Sequence, residues 1–249
     1  MDSKLLDSLA GLIVSCQASS GEPLNSPDHL LAMALSGLNG GGCALRLEGV
    51  ENIAYIRAKV DALYDEHIPI VGLTKADISA EDKLSTVYIT ATFEDARKLA
   101  EAGADVIALD ATGRKRLDAY SLKETIEKIH SQLDRPVWAD CATFSEGLNA
   151  ANCGADIVST TLYGYTQETA LPGTAGPSFE LLKELVRHLT IPVILEGRVW
   201  NPDEVTQAFE IGAHGVVVGS AITRPQLITE RFVRSIPPAK SRLALKPKA

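Results

Sequence analysis

Two marks alternate along this chain and narrow its possible folds more than any other feature. Three short apolar runs open with proline: "PIVGLT" (69–74), "PVWAD" (136–140) and "PVILEG" (192–197). The runs interleaved with them, "DVIALD" (105–110), "DIVSTT" (156–161) and "GVVVGS" (215–220), follow the pairs Gly103-Ala104, Gly154-Ala155 and Gly212-Ala213. Proline is tolerated as the first residue of a strand, where no ladder donor is lost. Glycine ends a helix in the left-handed conformation that side chains resist. Two earlier runs, "LIVSCQ" (12–17) and "CALRL" (43–47), bring the strand candidates to eight. Helical stretches such as "SLKETIEKIHSQL" (121–133) and "SFELLKELVRHL" (178–189) lie between them, apolar at i, i+3, i+4 and i+7. The repeating unit is thus a pair of βα modules, and four pairs close an eight-stranded (β/α)₈ barrel. An open doubly wound sheet also alternates, but rarely keeps this two-module rhythm throughout.

The length of 249 residues suits one barrel. Residues 1–237 are expected to form it, with the first helix, near Ser3–Leu9, covering the N-terminal mouth. The segment "TVYITAT" (86–92) resembles a ninth strand, yet too little chain separates it from the fourth. It reads as an extended excursion of the loop after strand three. The basic tail 238–249 reads as a flexible end.

A net charge of −8 argues against nucleic acid or an anionic membrane as a partner. Cys16, Cys43, Cys141 and Cys153 form no CxxC pair and read as reduced thiols. "MDSKLLDSLAG" lacks the basic start and apolar stretch of a signal peptide, so a cytoplasmic protein is expected.

Barrel chemistry sits at the C-terminal ends of the strands. That rim reads Gln17, Arg46, Lys75, Asp110, Asp140, Thr160, Thr161, Glu196 and Gly219-Ser220, whereas the opposite end offers prolines and Gly-Ala. An Asp or Thr ending a strand is often only a helix N-cap. Lys75, Arg46 and Glu196 suit no cap and are costly to bury unpaired. The five histidines avoid these ends, and no HxH, HExxH, G-x-S-x-G or Walker A string occurs. The glycines of "GLNGGGCALR" precede a strand and so do not form a dinucleotide fingerprint. Asp110, Asp140 and Glu196 are candidates for a magnesium ion, but the lysine and arginine beside them oppose it, and a site without metal or cofactor is the simpler expectation.

Taken together, "LIVSCQA", "ALRLEGVENI", "IVGLTK", "VYITAT", "GADVIALDATGRKR", "ADCATFSEG", "TTLYGYT", "PVILEGR" and "VVVGSAITRP" resemble the N-acetylmannosamine-6-phosphate 2-epimerases. The resemblance runs from about residue 10 to 233. It implies a cofactor-independent barrel of the ribulose-phosphate-binding type, a phosphosugar substrate, a role in sialic-acid catabolism and a homo-oligomer, a dimer or larger. It places the catalytic residues at Lys75 and Glu196 and substrate-binding residues at Gln17, Arg46, Asp140 and Arg224. The chain departs from the family pattern at Ala91, where proline is usual, at Ala142, where serine is usual, and in a longer loop 74–87 lacking a basic residue after the lysine.

In such barrels the loops after strands seven and eight hold phosphate, which points to the backbone N–H groups of Gly197, Gly219 and Ser220, assisted by Arg224. Burial at the ends of their strands is expected to push Lys75 towards the neutral amine a base must be, and Glu196 towards the protonated acid. Two other readings share these residues: an aldolase using Lys75 as a Schiff base, and a phosphosugar-binding barrel without activity.

Overall fold

The computed structural model describes residues 3–237, apart from 20, 173 and 174. The expected tail, 238–249, lies outside the described residues. Eight parallel strands close into a barrel in sequence order, β1 (Leu12–Cys16), β2 (Ala44–Glu48), β3 (Ile70–Leu73), β4 (Val106–Asp110), β5 (Val137–Asp140), β6 (Ile157–Ser159), β7 (Val193–Glu196) and β8 (Gly215–Val218), with β8 pairing back to β1. The helices in chain order are α1 (Ser3–Asp7), α2 (Pro27–Asn39), α3 (Val50–Leu63), α4 (Asp82–Ser85), α5 (Phe93–Glu101), α6 (Leu122–Lys128), α7 (Phe144–Asn152), α8 (Phe179–His188), α9 (Pro202–Ile211), α10 (Ser220–Thr223) and α11 (Pro225–Arg234). A π-helical turn, Ile129–Leu133, extends α6 over the rest of the segment whose pattern predicted one helix. All four cysteines are free thiols.

The alternating marks do what elementary geometry asks of them. Gly103, Gly154 and Gly212 take φ of 97°, 100° and 106° immediately before β4, β6 and β8. Each proline sits one residue below its strand and joins the ladder by its carbonyl alone. Pro69 accepts from Leu45 N–H (2.9 Å), Pro136 from Ile107 (3.0 Å) and Pro192 from Val158 (3.1 Å).

Strand side chains alternate between two buried environments, as parallel sheets covered on both faces require. One set, including Val14, Leu45, Ile107, Val137, Leu195 and Val216, packs on the helices. The other, including Ile13, Ala44, Val71, Val106, Trp138, Ile157, Ile194 and Val217, fills the barrel interior. The same inward parity continues upwards to Ser15, Arg46, Asp110, Asp140, Ser159 and Glu196, so the interior changes from apolar to charged at its C-terminal end.

At the N-terminal mouth α1 delivers Leu9, fully buried, into the interior cluster, with Leu5 and Leu6 packed against it. The chain lies so close there that a Cβ on Gly215 would stand 2.5 Å from the Leu9 carbonyl oxygen. The segment 76–92 is an excursion, as its sequence position indicated. It folds back antiparallel on the end of β3, where Lys75 bridges Ile89, Ala76 N–H donates to Tyr88 O (2.8 Å) and Thr90 N–H to Thr74 O (2.8 Å).

Gly215→Ala is expected to destabilise the protein by about 1–3 kcal/mol, since backbone must move to admit the methyl group. Equilibrium urea denaturation would measure it, and an unchanged midpoint would contradict this packing.

Candidate active site

A cavity of about 420 Å³ opens at the C-terminal end of the barrel. Its wall includes Gln17, Arg46, Lys75, Glu196, Gly197, Gly219, Ser220 and Arg224, so these eight expected residues meet in one place. The floor is apolar, with Leu73, Ile89, Leu162 and Val217.

Arg46, 1% exposed, crosses the barrel from β2. Its Nη2 donates to Asp140 Oδ2 on β5 (2.6 Å), and its Nε lies 3.1 Å from Glu196 Oε1 on β7, an ion pair without hydrogen-bond alignment. The guanidinium packs over the Trp138 ring, 5.3 Å from its centroid. Its Nη1 is buried without a protein partner. Burial opposes the charge, but Asp140 and then Glu196 more than offset it, and the Arg46 pKa is raised.

Asp140, expected among the substrate-binding residues, is fully buried and is not among the residues that line the cavity. Its Oδ1 accepts from Trp138 Nε1 (3.0 Å), Ser159 Oγ (3.0 Å) and Thr161 Oγ1 (2.7 Å). Asp140 anchors Arg46. Thr160 is structural too: its hydroxyl donates to Glu196 O (2.9 Å) and accepts from Glu196 N–H (3.1 Å), stitching β6 to β7.

Glu196 is nearly buried, 11% exposed at its side chain. Burial, helped by the Asp140 charge, raises its pKa to about 7 against the pull of Arg46, Thr161 and Lys75. Thr161 Oγ1 lies 2.7 Å from Asp140 Oδ1 and 3.0 Å from Glu196 Oε2. One hydroxyl hydrogen cannot serve both carboxyl groups. The Thr161 hydroxyl sits between the two carboxyl groups, with Ser159 Oγ at 2.6 Å as a further partner.

Lys75 stands otherwise than its sequence implied. Its side chain is 35% exposed, not buried, because it lies two residues beyond β3 on the open rim. Its Nζ donates to Gln17 Oε1 (2.6 Å) and Glu48 Oε2 (2.7 Å). Glu48 was missed because strand two was ended at Leu47, although it is the next inward position after Arg46.

Gly197 takes φ of 100°, Gly219 lies close against Ser15, and Ser220 begins α10. Arg224 is already engaged by Glu22 of the β1–α2 loop, while its buried Nε has no partner. Asp110 serves the loops, accepting from Thr112, Arg114 and the Tyr88 N–H. Tyr88, Tyr165, Arg198 and Trp200 also line the cavity, and none of them was among the expected site residues. Arg198, at φ of 62°, ties the β6 loop to β7 by donating to Pro172 O (2.7 Å) and Gly164 O (3.0 Å). Among the described residues no group of three or more His, Cys, Asp and Glu is placed to hold a metal, and no helix is long and apolar enough to cross a membrane.

The model of the NanE family, described as "Putative N-acetylmannosamine-6-phosphate epimerase", matches residues 30–238. The chain belongs to this family. A relative of the same description from Cutibacterium acnes is 43% identical over 232 residues, 92% of this chain and 95% of that one. Another, from Clostridioides difficile, is 44% identical over 233 residues, 93% and 99% of the two chains. The solved structure of the N-acetylmannosamine-6-phosphate 2-epimerase from Clostridium perfringens superposes with a TM-score of 0.84 at 40% identity, covering 93% of this chain and 96% of that one.

Arg46→Met would leave Asp140 and Glu196 without their cation, and is expected to destabilise the fold by about 3–5 kcal/mol. Thermal and urea denaturation against wild type would test it; equal stability would mean the two carboxyl groups do not depend on Arg46.

Proposed function

We propose that the chain interconverts N-acetylmannosamine 6-phosphate and N-acetylglucosamine 6-phosphate by removing and returning the proton at C2. The observation that carries this reading is the placement of Lys75 and Glu196 on opposite strands of one cavity, in a chain of the epimerase family.

In the open-chain sugar the C2 hydrogen is acidified by the C1 aldehyde. Its removal leaves an enolate that can be reprotonated from either face. Lys75 takes or gives the proton on one face of C2, and Glu196 is its acid/base partner, either on the opposite face of C2 or at the oxygen on which the enolate charge develops. At the oxygen, Glu196 in its acid form donates and recovers its proton when the aldehyde reforms, and the enolate must turn its other face to the amine for C2 to invert. Arg46 supports the same charge through its free Nη1. Gln17 steadies the lysine from β1.

The phosphate lies against the N–H groups of Gly197, Gly219 and Ser220. Arg224 closes on it through its unpartnered Nε while Glu22 holds the other edge of the guanidinium. Arg224→Ala should raise KM strongly for the phosphorylated sugar. Equal turnover of unphosphorylated N-acetylmannosamine would refute this placement.

Incubation with N-acetylmannosamine 6-phosphate in D₂O, followed by proton NMR, should show the other epimer appearing with loss of the C2–H signal. Product formed with that hydrogen retained would rule out proton removal into solvent-exchangeable groups. Lys75→Ala and Glu196→Ala should each abolish turnover in folded protein. A Lys75→Ala enzyme keeping more than about a tenth of wild-type rate, a loss of only ~1.4 kcal/mol, would remove the lysine from the mechanism.

The working form of Glu196 is the acid, and its pKa is raised to about 7. Turnover should therefore fall as pH rises through that value and the carboxyl proton is lost. A kcat profile without this descending limb would show that Glu196 need not be protonated.

A further inference from the structure

A base must be neutral to take a proton, yet Lys75 stands on an open rim with water around it and two acceptors on its Nζ. One acceptor, Gln17 Oε1, belongs to an amide and cannot keep a proton near neutral pH. The other is the Glu48 carboxylate at 2.7 Å, on the cavity wall beside the lysine. Both side chains are partly exposed, Glu48 by 27% and Lys75 by 35%, so water now supports the separated charges. A bound sugar would displace that water, and burial disfavours both an ammonium and a carboxylate.

Resting on the epimerase reading, we propose that Glu48 is the immediate acceptor of the Lys75 proton, which leaves the amine free to act at C2. As substrate fills the mouth, one N–H bond of the ammonium breaks and an O–H bond forms on Glu48 Oε2. The ion pair becomes a neutral amine and a neutral carboxyl, and net charge is unchanged. The amine lone pair then takes the C2 proton, and the C–H electron pair passes into the enolate. The enolate turns its other face to Lys75, and return of the proton to that face inverts C2 and restores the amine. When product leaves and water re-enters, Glu48 gives its proton back to Lys75. No other reactant is needed. Glu48 acts through Lys75 and not on the substrate.

The other polar groups around the pair belong to different steps. From β1 comes the neutral Gln17, and from β2 the buried Arg46, committed to Asp140. The excursion supplies Tyr88, whose phenol is pushed up to about 12 by burial and stays neutral. From β7 comes Glu196, which feels the lysine charge but makes no hydrogen bond to it. Glu48 is thus the group in direct contact with Nζ that can hold its proton.

The test is kcat and KM against pH for wild type and Glu48→Gln, with N-acetylmannosamine 6-phosphate followed by NMR. Glu48→Gln keeps the size of the side chain and an acceptor for Nζ, but not the proton acceptor. At neutral pH its kcat should fall by about 100-fold, the range of a lost acid–base step, with KM nearly unchanged and the ascending limb of kcat moved to higher pH. Glu48→Ala should regain activity with added formate and not with chloride at equal ionic strength. An unchanged kcat and limb in Glu48→Gln would overturn the proposal. So would a fall by one factor at every pH, or a Glu48→Ala enzyme that formate does not rescue. Wild-type protein inert towards this substrate would instead defeat the epimerase reading itself, so the two failures are separable.

Discussion

The mouth of this barrel depends on one buried cation. Arg46 reaches from β2 to carboxyl groups on β5 and β7 and lies over the Trp138 ring, so it ties three strands together through the middle of the sheet. Burying a guanidinium is costly, and two carboxyl groups plus an aromatic face are what offset it here. The arrangement has a chemical result as well as a structural one. Asp140, hydrogen-bonded by Trp138, Ser159 and Thr161 and paired to Arg46, is fully engaged. Glu196 receives only the side of the guanidinium without hydrogen-bond alignment, and its proton stays within reach at neutral pH. Two carboxyl groups on one cation thus acquire different characters.

A gradient along the barrel axis underlies the site. The inward parity that places Ile13, Ala44, Ala108 and Ile194 in an apolar plug also places Ser15, Arg46, Asp110 and Glu196 one step above them. The lower half packs as any core does, sealed by Leu9. The upper half must satisfy polar groups with one another, and among the buried atoms it leaves without a partner, Arg46 Nη1 and Arg224 Nε are on the cavity wall.

Much of this was legible from sequence because strands impose a period of two and helices end where glycine permits. Prolines and Gly-Ala pairs fixed the number and order of strands, and reading the last polar residue of each run found Lys75, Arg46 and Glu196. The same parity, carried one step further, would have found Glu48. Height was harder to read. An apolar run shows that β3 is buried, but not that its next inward residue clears the rim into water, and so Lys75 was expected to be buried. Nor does the end of β5 reveal that Asp140 pairs with Arg46. Tyr165, Arg198 and Trp200 come from loops whose course is set by tertiary contacts, such as Arg198 on the Gly164 and Pro172 carbonyls, and no local pattern announces those.

The excursion after β3 divides into a stem and a tip. The stem is a short antiparallel clasp, residues 74–76 against 88–90, and Asp110 N–H bonded to Ile89 O fastens it to β4 (3.0 Å). Lys75 is part of that clasp, whereas the tip, with α4, is held separately, by Lys115 N–H on Ser85 O, Val87 N–H on Lys115 O and Arg114 on Lys83 O. Chain added to or removed from the tip changes the span of a loop whose two ends are already pinned, and the entropy of such a change grows only slowly with length. The lysine is therefore mechanically insulated from its own loop. Side chains at the tip can change without shifting the clasp, and the amine keeps its address.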